Sequence, residues 1–233
     1  MPHLEALTDL TYGPHLRQKL DVFVPVNVSG GATVLCLHGG WWTAGSHHDL
    51  RGFALHLAEL GFSAATMGHR HLEKDVKSGA ELVEDVKMGA QRAVDEAGLL
   101  GASDKGVILL GSGSGSLPVL AAAWQLANDR TARLRVRGVI ACGVTPSALP
   151  WEGCPLALTK TLHAYAGSAP AAFNPSELRA DGYPPLLLLH QLLCLLHQLL
   201  RPPRLPLLHL RHRGSSSWWR RCTSRSRTTR TTT

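Results

Sequence analysis

The carboxyl-terminal part of this 233-residue chain lacks acidic residues, because no aspartate or glutamate follows Asp181. Residues 178–233 contain ten arginines, no lysine and one aspartate, so their net charge is +9. The whole chain has a formal net charge of +7, so the other 177 residues together carry −2. An Arg/Ser/Thr-rich segment offers little apolar surface to bury, so we expect the end of the chain to be disordered. The high isoelectric point therefore does not indicate what the body of the protein binds.

Paired cysteines are also lacking. The chain has five scattered cysteines, and no two of them are spaced as Cys-x-x-Cys. This pattern argues against a disulfide framework and against a structural zinc site, and it favours a reducing compartment, which we take to be the cytoplasm. The five are Cys36, Cys142, Cys154, Cys194 and Cys222.

No long, uninterrupted apolar run is present. The longest, residues 186–200, contains His-Gln pairs at 190–191 and 197–198 and falls short of the roughly 20 apolar residues that a membrane span needs. The first residues do not have the basic and then apolar pattern of a signal peptide. We expect no membrane span and no secretory signal. The arginines of the tail come without a folded recognition module, so no specific nucleic-acid partner is predicted.

Two hydrophobic periods alternate along residues 19–189, which predicts an α/β fold. The expected topology is a mainly parallel sheet with helices on both faces, in which ligands bind at the carboxyl ends of the strands. Strands are predicted at 19–25, 33–37, 62–67, 107–110, 136–142 and 184–189, and helices at 48–60, 81–100 and 117–127.

The sequence His38-Gly39-Gly40-Trp41 follows a short apolar strand. Two glycines allow a sharp turn and a close approach of the backbone to a ligand. Their N–H groups are suited to hold a carbonyl oxygen that becomes negative during acyl transfer, which defines an oxyanion hole. A tight turn that needs glycine for steric reasons alone is the alternative. Trp41 and Trp42 are interpreted either as a wall of a substrate pocket or as ordinary packing residues.

Residues 111–116, Gly-Ser-Gly-Ser-Gly-Ser, lie between a predicted strand and a predicted helix. A nucleophile elbow has this context, but it requires Gly-x-Ser-x-Gly, and here Gly113 stands at the central position. Three interpretations remain open. Ser114 serves as nucleophile through a shifted turn, the nucleophile is lost, or the loop is an anion-binding nest. The spacing is unlike that of a phosphate-binding loop, which disfavours the nest. Ser112 is the other serine next to Gly113.

Together these segments resemble the α/β-hydrolase superfamily. Residues 19–25, 38–46, 84–87 and 107–116 occur in the order found in its esterase/lipase branch, the feruloyl-esterase-like, kynurenine-formamidase-like and prenylcysteine-methylesterase-like enzymes. The resemblance implies that Gly39 and Gly40 form the oxyanion hole. Residues 69–71, His-Arg-His, stand where the branch has Tyr-Arg-Leu, and residues 184–190 are similar to the strand that precedes the catalytic acid. The resemblance covers roughly residues 15–190.

The catalytic triad is not completed. After His190 the family pattern expects a glycine, then an aspartate and later a histidine, but Gln191 follows and no acid is present. His209 and His212 are possible bases, and Glu152 is a possible acid that is more simply explained as an exposed loop residue. The triad acid and histidine are therefore unassigned. We interpret residues 191–233 as a Leu-rich and then Arg/Ser/Thr-rich tail that does not derive from a hydrolase carboxyl terminus.

The histidine pairs His47-His48 and His69-x-His71 are interpreted as solvated or hydrogen-bonded side chains, since adjacent histidines on a helix point apart. No metal and no cofactor is expected. The prediction is an α/β-hydrolase domain at 15–190 that acts on carboxylic esters or aryl formamides, with a site impaired by the departures above. The alternatives are a non-catalytic hydrolase-like protein or truncated gene product that binds a small ligand at most, and an interaction protein that uses its basic tail.

Overall fold

A seven-stranded sheet forms the centre of the computed structural model. The structure describes residues 3–26, 31–102, 106–143, 154–167 and 183–189. The strands are β1 (Leu4–Thr11), β2 (Lys19–Pro25), β3 (Thr33–Leu37), β4 (Ala64–Met67), β5 (Gly106–Ser112), β6 (Arg135–Cys142) and β7 (Leu186–Leu189). The helices are α1 (Arg51–Glu59), α2 (Gly79–Leu99), α3 (Ser116–Asn128) and α4 (Leu156–Ala166), and a short 3₁₀ turn, Gly113–Gly115, precedes α3.

The strands lie side by side in the order β1-β2-β4-β3-β5-β6-β7. The last five strands in this order, β4, β3, β5, β6 and β7, are mutually parallel. Strand β2 pairs antiparallel with both β1 and β4. The predicted mainly parallel sheet is therefore confirmed, with an antiparallel hairpin at one edge. Because β3 and β5 are adjacent and parallel, the chain leaves both strands at the same edge of the sheet.

The central strand β3 shows why the sheet is covered on both faces. All five of its residues are buried. Leu35 and Leu37 face a large core that α2, α3 and α4 complete. Val34 and Cys36 face the other side of the sheet, where Leu50, just before α1, and Leu57 of α1 cover them. A strand that is buried on both faces has no polar side to show, which accounts for a sequence that is apolar at every position after Thr33.

Two elements were not predicted from the sequence. Strand β1 lies before residue 15, where the predicted domain began, and five of its eight residues are exposed, so its sequence has little apolar alternation. Helix α4 packs Leu162 and Tyr165 into the main core. The predicted tail, 191–233, lies outside the described residues. None of the helices in the described ranges is both long and apolar enough to cross a membrane.

The backbone that leaves β3 comes into direct contact with the turn that follows β5. A Cβ atom on Gly115 would collide with the carbonyl oxygen of His38. The same substitution would also bring a Cβ to 3.0 Å from the carbonyl oxygen of Leu37. Only glycine, which has no Cβ, allows the two backbone segments to approach this closely.

We predict that Gly115→Ala lowers the free energy of unfolding by about 2 kcal/mol or more, because the collision is with backbone atoms that have little freedom to move. Chemical denaturation monitored by circular dichroism measures the effect. Gly98→Ala is the matched control, since Gly98 lies in α2 with open space around its Cβ position. That control should raise the stability by about 0.5–1 kcal/mol. Equal effects of the two changes would contradict the assigned contact.

Candidate active site

The two glycine-bearing loops predicted from the sequence face each other at the carboxyl ends of β3 and β5. A Cβ on Gly113 would lie 3.9 Å from the Cα of Gly39, and a Cβ on Gly39 would lie 3.0 Å from the carbonyl oxygen of Ser112. No helix separates the loops. They meet at the edge of the sheet where ligands bind in folds of this kind, and we call the junction of the two loops the crevice.

Gly113 occupies the apex of the turn after β5, with a φ of +54°. This is the left-handed region, which other residue types adopt only under strain. The space around its Cβ position is open, since only the Cα of Gly39 lies within 4 Å. The turn therefore has the backbone form of a nucleophile elbow, but the residue at its apex carries no hydroxyl.

The serines around Gly113 lie in different environments. Ser114 is buried, only 5 % exposed, and its hydroxyl accepts a hydrogen bond from the Trp41 N–H at 2.8 Å. The Ser116 hydroxyl is fully buried and donates to the carbonyl oxygens of Gly111 and Cys142, so it fastens α3 to the strands. Ser112 is the last residue of β5 and is partly exposed. Ser114 is thus the serine whose hydroxyl directly contacts the loop after β3.

The loop after β3 has an unusual backbone. Gly40, Trp41 and Trp42 have positive φ angles of +105°, +50° and +62°, two of them on tryptophans. A strained conformation persists only where surrounding contacts hold it. Here the buried Trp42 ring stacks on Tyr165 at 4.1 Å between centroids, and its indole N–H donates to the Ser114 carbonyl oxygen at 2.8 Å.

Of the two predicted pocket residues, Trp42 is completely buried and Trp41 is 40 % exposed. Trp42 therefore packs in the core, which was one of its two interpretations, while Trp41 offers an indole surface at the mouth of the crevice. The N–H groups of Gly39 and Gly40 donate to no protein acceptor in the described part of the chain. Unpartnered backbone donors beside a cleft are able to hold a carbonyl oxygen or another anion.

Three buried histidines lie beside the loop after β3. The rings of His38 and His69 stack at 4.7 Å, and the rings of His69 and His71 meet edge to face at 6.0 Å. One ring nitrogen of each donates to a backbone carbonyl, at 2.6 Å for His38 and His69 and at 3.2 Å for His71. The other nitrogen of each is buried and unpartnered. A protonated histidine donates from both ring nitrogens, and here the second N–H of each ring would have no acceptor.

Burial keeps these imidazoles neutral. It lowers the pKa of His69 to about 3, and it also lowers the pKa values of His38 and His71. The neighbouring rings repel one another when charged, which adds to the effect. None of the described imidazoles hydrogen-bonds to the Ser114 hydroxyl. The histidine of the triad therefore stays unassigned.

Arg70, between His69 and His71, forms a buried ion pair with Asp85 of α2. Its guanidinium donates to the Asp85 carboxylate at 2.7 Å, and its backbone N–H donates to the same group at 2.9 Å. Gln18 donates to this carboxylate at 2.8 Å. The network fixes the histidine-bearing segment to the long helix. This ion pair gives a structural role to Arg70, which matches the arginine of the Tyr-Arg-Leu pattern.

Several sequence candidates lie outside the described residues: His190, His209, His212 and Glu152. The structure instead brings together a group that sequence reasoning missed. Asp9, His47 and His48 place their ligand atoms within 4.8 Å of one another, and no other group of this kind occurs in the described ranges. The His47-His48 pair was recognised in the sequence, but nothing there links it to Asp9, which lies 38 positions earlier.

No protein-family model matches the sequence, and no curated protein matches it either. Solved structures are similar. An inhibited esterase B from Lactobacillus rhamnosis has a TM-score of 0.69 at 20 % identity and is matched over 79 % of this chain and 65 % of its own. A Pyrobaculum calidifontis esterase has a TM-score of 0.62 at 18 % identity, and a bacterial heroin esterase 0.60 at 17 %, each matched over 80 % of this chain and 65 % of its own.

This chain spans about two thirds of the length of those esterases. At identities this low the likeness shows the fold. The fold is that of the α/β-hydrolases, and the resemblance stated from the sequence motifs is confirmed at that level.

We predict that the protein loses stability on acidification through the histidine cluster. The folded-state pKa of His69, about 3, lies below its ordinary value of 6.5, so the unfolded chain binds a proton that the folded chain does not. The free energy of unfolding therefore falls as the pH drops below about 6.5, by about 2 kcal/mol for this residue between about pH 7.5 and about pH 5.

Urea denaturation at several pH values measures this loss. His69→Gln removes one of the three titrating groups and should make the dependence shallower in that window, while His38 and His71 still contribute to it. An unchanged slope in the variant would show that His69 does not carry the effect.

Proposed function

We propose that the crevice between residues 39–41 and 112–116 binds and hydrolyses carboxylic esters or aryl formamides, with Ser114 as the nucleophile. The observation that carries the proposal is the contact between the Ser114 hydroxyl and the Trp41 N–H. The N–H that this hydroxyl contacts comes directly after those of Gly39 and Gly40 along the chain, which supports a role of the three groups in one site. The fold shared with several esterases supports the same chemistry.

In the proposed reaction the Ser114 oxygen attacks the carbonyl carbon, and the carbonyl oxygen becomes negative. The Gly39 and Gly40 N–H groups stabilise that charge at the edge of the sheet. The alcohol or amine then leaves with a proton taken up from water, and a second water molecule hydrolyses the acyl–Ser114 ester, which gives the carboxylic acid and restores the Ser114 hydroxyl. The proton of the hydroxyl passes to water or to a base outside the described residues, so the proposed turnover is slow for this fold.

The proposed substrate is a small molecule with an apolar or aromatic group. Trp41 places an exposed indole at the mouth of the crevice, and a flat aromatic or acyl group stacks well on such a surface. A cytoplasmic location is part of the proposal. It rests on the free thiols of Cys36 and Cys154.

One observation favours a second candidate function, non-catalytic binding of a small ligand. Gly113 stands at the apex of the elbow, where a nucleophile would reach the ligand, and has no side chain. In this alternative the Ser114 hydroxyl acts as a cap on the Trp41 N–H and attacks nothing. The two functions differ in what happens when the Ser114 hydroxyl is removed.

We predict that Ser114→Ala reduces hydrolysis of a p-nitrophenyl ester by at least about a hundredfold, because it removes the attacking oxygen. Ser112→Ala is the matched control and should keep the rate within about twofold of the unaltered protein, since only the Ser112 backbone, and not its hydroxyl, contacts the loop after β3. Initial rates are measured by release of p-nitrophenolate. Hydrolysis that survives Ser114→Ala would reject Ser114 as the nucleophile.

The second candidate predicts a different result for Gly113→Ser. The left-handed φ costs a serine about 1 kcal/mol, but the side chain has room to enter the crevice. If the site has lost its nucleophile, Gly113→Ser should raise the rate of ester hydrolysis at least about tenfold. The same increase should be seen when Ser114→Ala is also present. If Ser114 is the nucleophile, the gain should be absent. Rates of the single and double variants decide between the two.

A further inference from the structure

Asp9, His47 and His48 form a surface cluster that the proposed reaction does not use. The Nε2 atom of His47 lies 2.9 Å from Oδ1 of Asp9, and Nε2 of His48 lies 3.5 Å from the same oxygen. Both imidazoles therefore converge on one carboxylate oxygen. Their rings are 4.0 Å apart and tilted by 52°.

The convergence has a local cause on the histidine side. Adjacent histidines on a helix point apart. His47 and His48, however, lie in a turn before α1 begins at Arg51. In this turn the Ser46 hydroxyl donates to the Asp49 carboxylate, and the His48 N–H donates to the Ser46 hydroxyl. The turn places both rings on the side of the hairpin.

The position of Asp9 is fixed as well. It lies in an irregularity of β1, where the register with β2 shifts between Leu7 and Leu10, and its φ is +58°. Its backbone N–H donates to Oδ1 of the buried Asp21 at 2.8 Å. The Asp21 carboxylate is itself paired with Arg51 at 2.7 Å. Asp21 therefore orients Asp9, and its own charge is already balanced.

We propose that the Asp9–His47–His48 cluster is a binding site for a zinc ion or a similar divalent transition-metal ion. Two imidazole nitrogens and one carboxylate oxygen are a set of ligands that zinc accepts, with water in the fourth position. In tetrahedral coordination at the usual bond lengths, ligand atoms lie about 3.3 Å apart. The two distances to the Asp9 oxygen, 2.9 and 3.5 Å, bracket this value.

Access and charge agree with this assignment. The side chains of Asp9 and His48 are about half exposed, so an ion reaches them from solvent, while His47 is buried and gives the site one rigid ligand. The hydrogen bond from His47 lowers the pKa of Asp9, which keeps that carboxylate ionised well below neutral pH. Arg51, the nearest cation on α1, is occupied by Asp21. Lys19 also lies near Asp9 and opposes the ion weakly.

A bound ion would join β1 to the turn before α1. This turn follows the loop that carries Gly39, Gly40 and Trp41, so metal binding would stabilise the hairpin edge of the sheet without taking part in the chemistry. The inference does not depend on the proposed function.

Isothermal titration of the full-length, reduced protein with ZnCl₂ tests the site. We expect Asp9→Asn and His48→Gln each to remove one equivalent of zinc or to weaken it by at least about tenfold. Both positions are half exposed, so the variants should fold. His56→Gln, an exposed histidine on α1, is the control and should bind as the unaltered protein does.

A second readout is thermal unfolding with and without zinc. Zinc should raise the Tm of the unaltered protein and of His56→Gln by more than it raises the Tm of Asp9→Asn or His48→Gln. Visible absorption of the cobalt-substituted protein should report a tetrahedral site that both cluster variants lose. Equal zinc stoichiometry, affinity and Tm shift in all four proteins would overturn the proposal.

Discussion

The close contact between the backbone leaving β3 and the backbone leaving β5 is the constraint on which the rest of the site depends. Gly115 has no room for a Cβ against the His38 carbonyl, and Gly39 lies against the Ser112 carbonyl. Because β3 and β5 are neighbouring parallel strands, their carboxyl ends bring these segments together at one edge of the sheet. The crevice, the accessible N–H groups and the Ser114–Trp41 hydrogen bond all follow from this contact.

The packing around the crevice keeps the loop after β3 in its strained form. Trp42 is anchored by its stack on Tyr165 and by its bond to the Ser114 carbonyl, which leaves the indole of Trp41 at the surface. On the other side, the Arg70–Asp85 pair fixes the segment that carries His69, whose neutral ring stacks on His38. Both arrangements restrict the motion of the loop after β3. Backbone N–H groups stabilise a developing negative charge best when they are held in place beforehand.

Much of the fold was predictable from the sequence, because buried strands such as 33–37 are apolar at nearly every position and helix α2 has a clear apolar face. Strand β1 was not, since its residues are largely exposed and it is held by pairing with β2. The two glycine loops were found by their motifs. Contacts between distant residues were not predictable: Trp41 and Ser114 are 73 positions apart, and Asp9 meets His47 only through the hairpin and the turn before α1.

The central claim is that the Ser114 hydroxyl lies in a crevice where backbone N–H groups stabilise a negative oxygen. Reaction with a serine-directed phosphonate ester tests it most directly, because the phosphonyl oxygen occupies the position of the carbonyl oxygen in acyl transfer. Peptide mass spectrometry after the reaction locates the adduct. The account predicts a single adduct on Ser114. An unmodified chain, or an adduct on any serine other than Ser114, would contradict it.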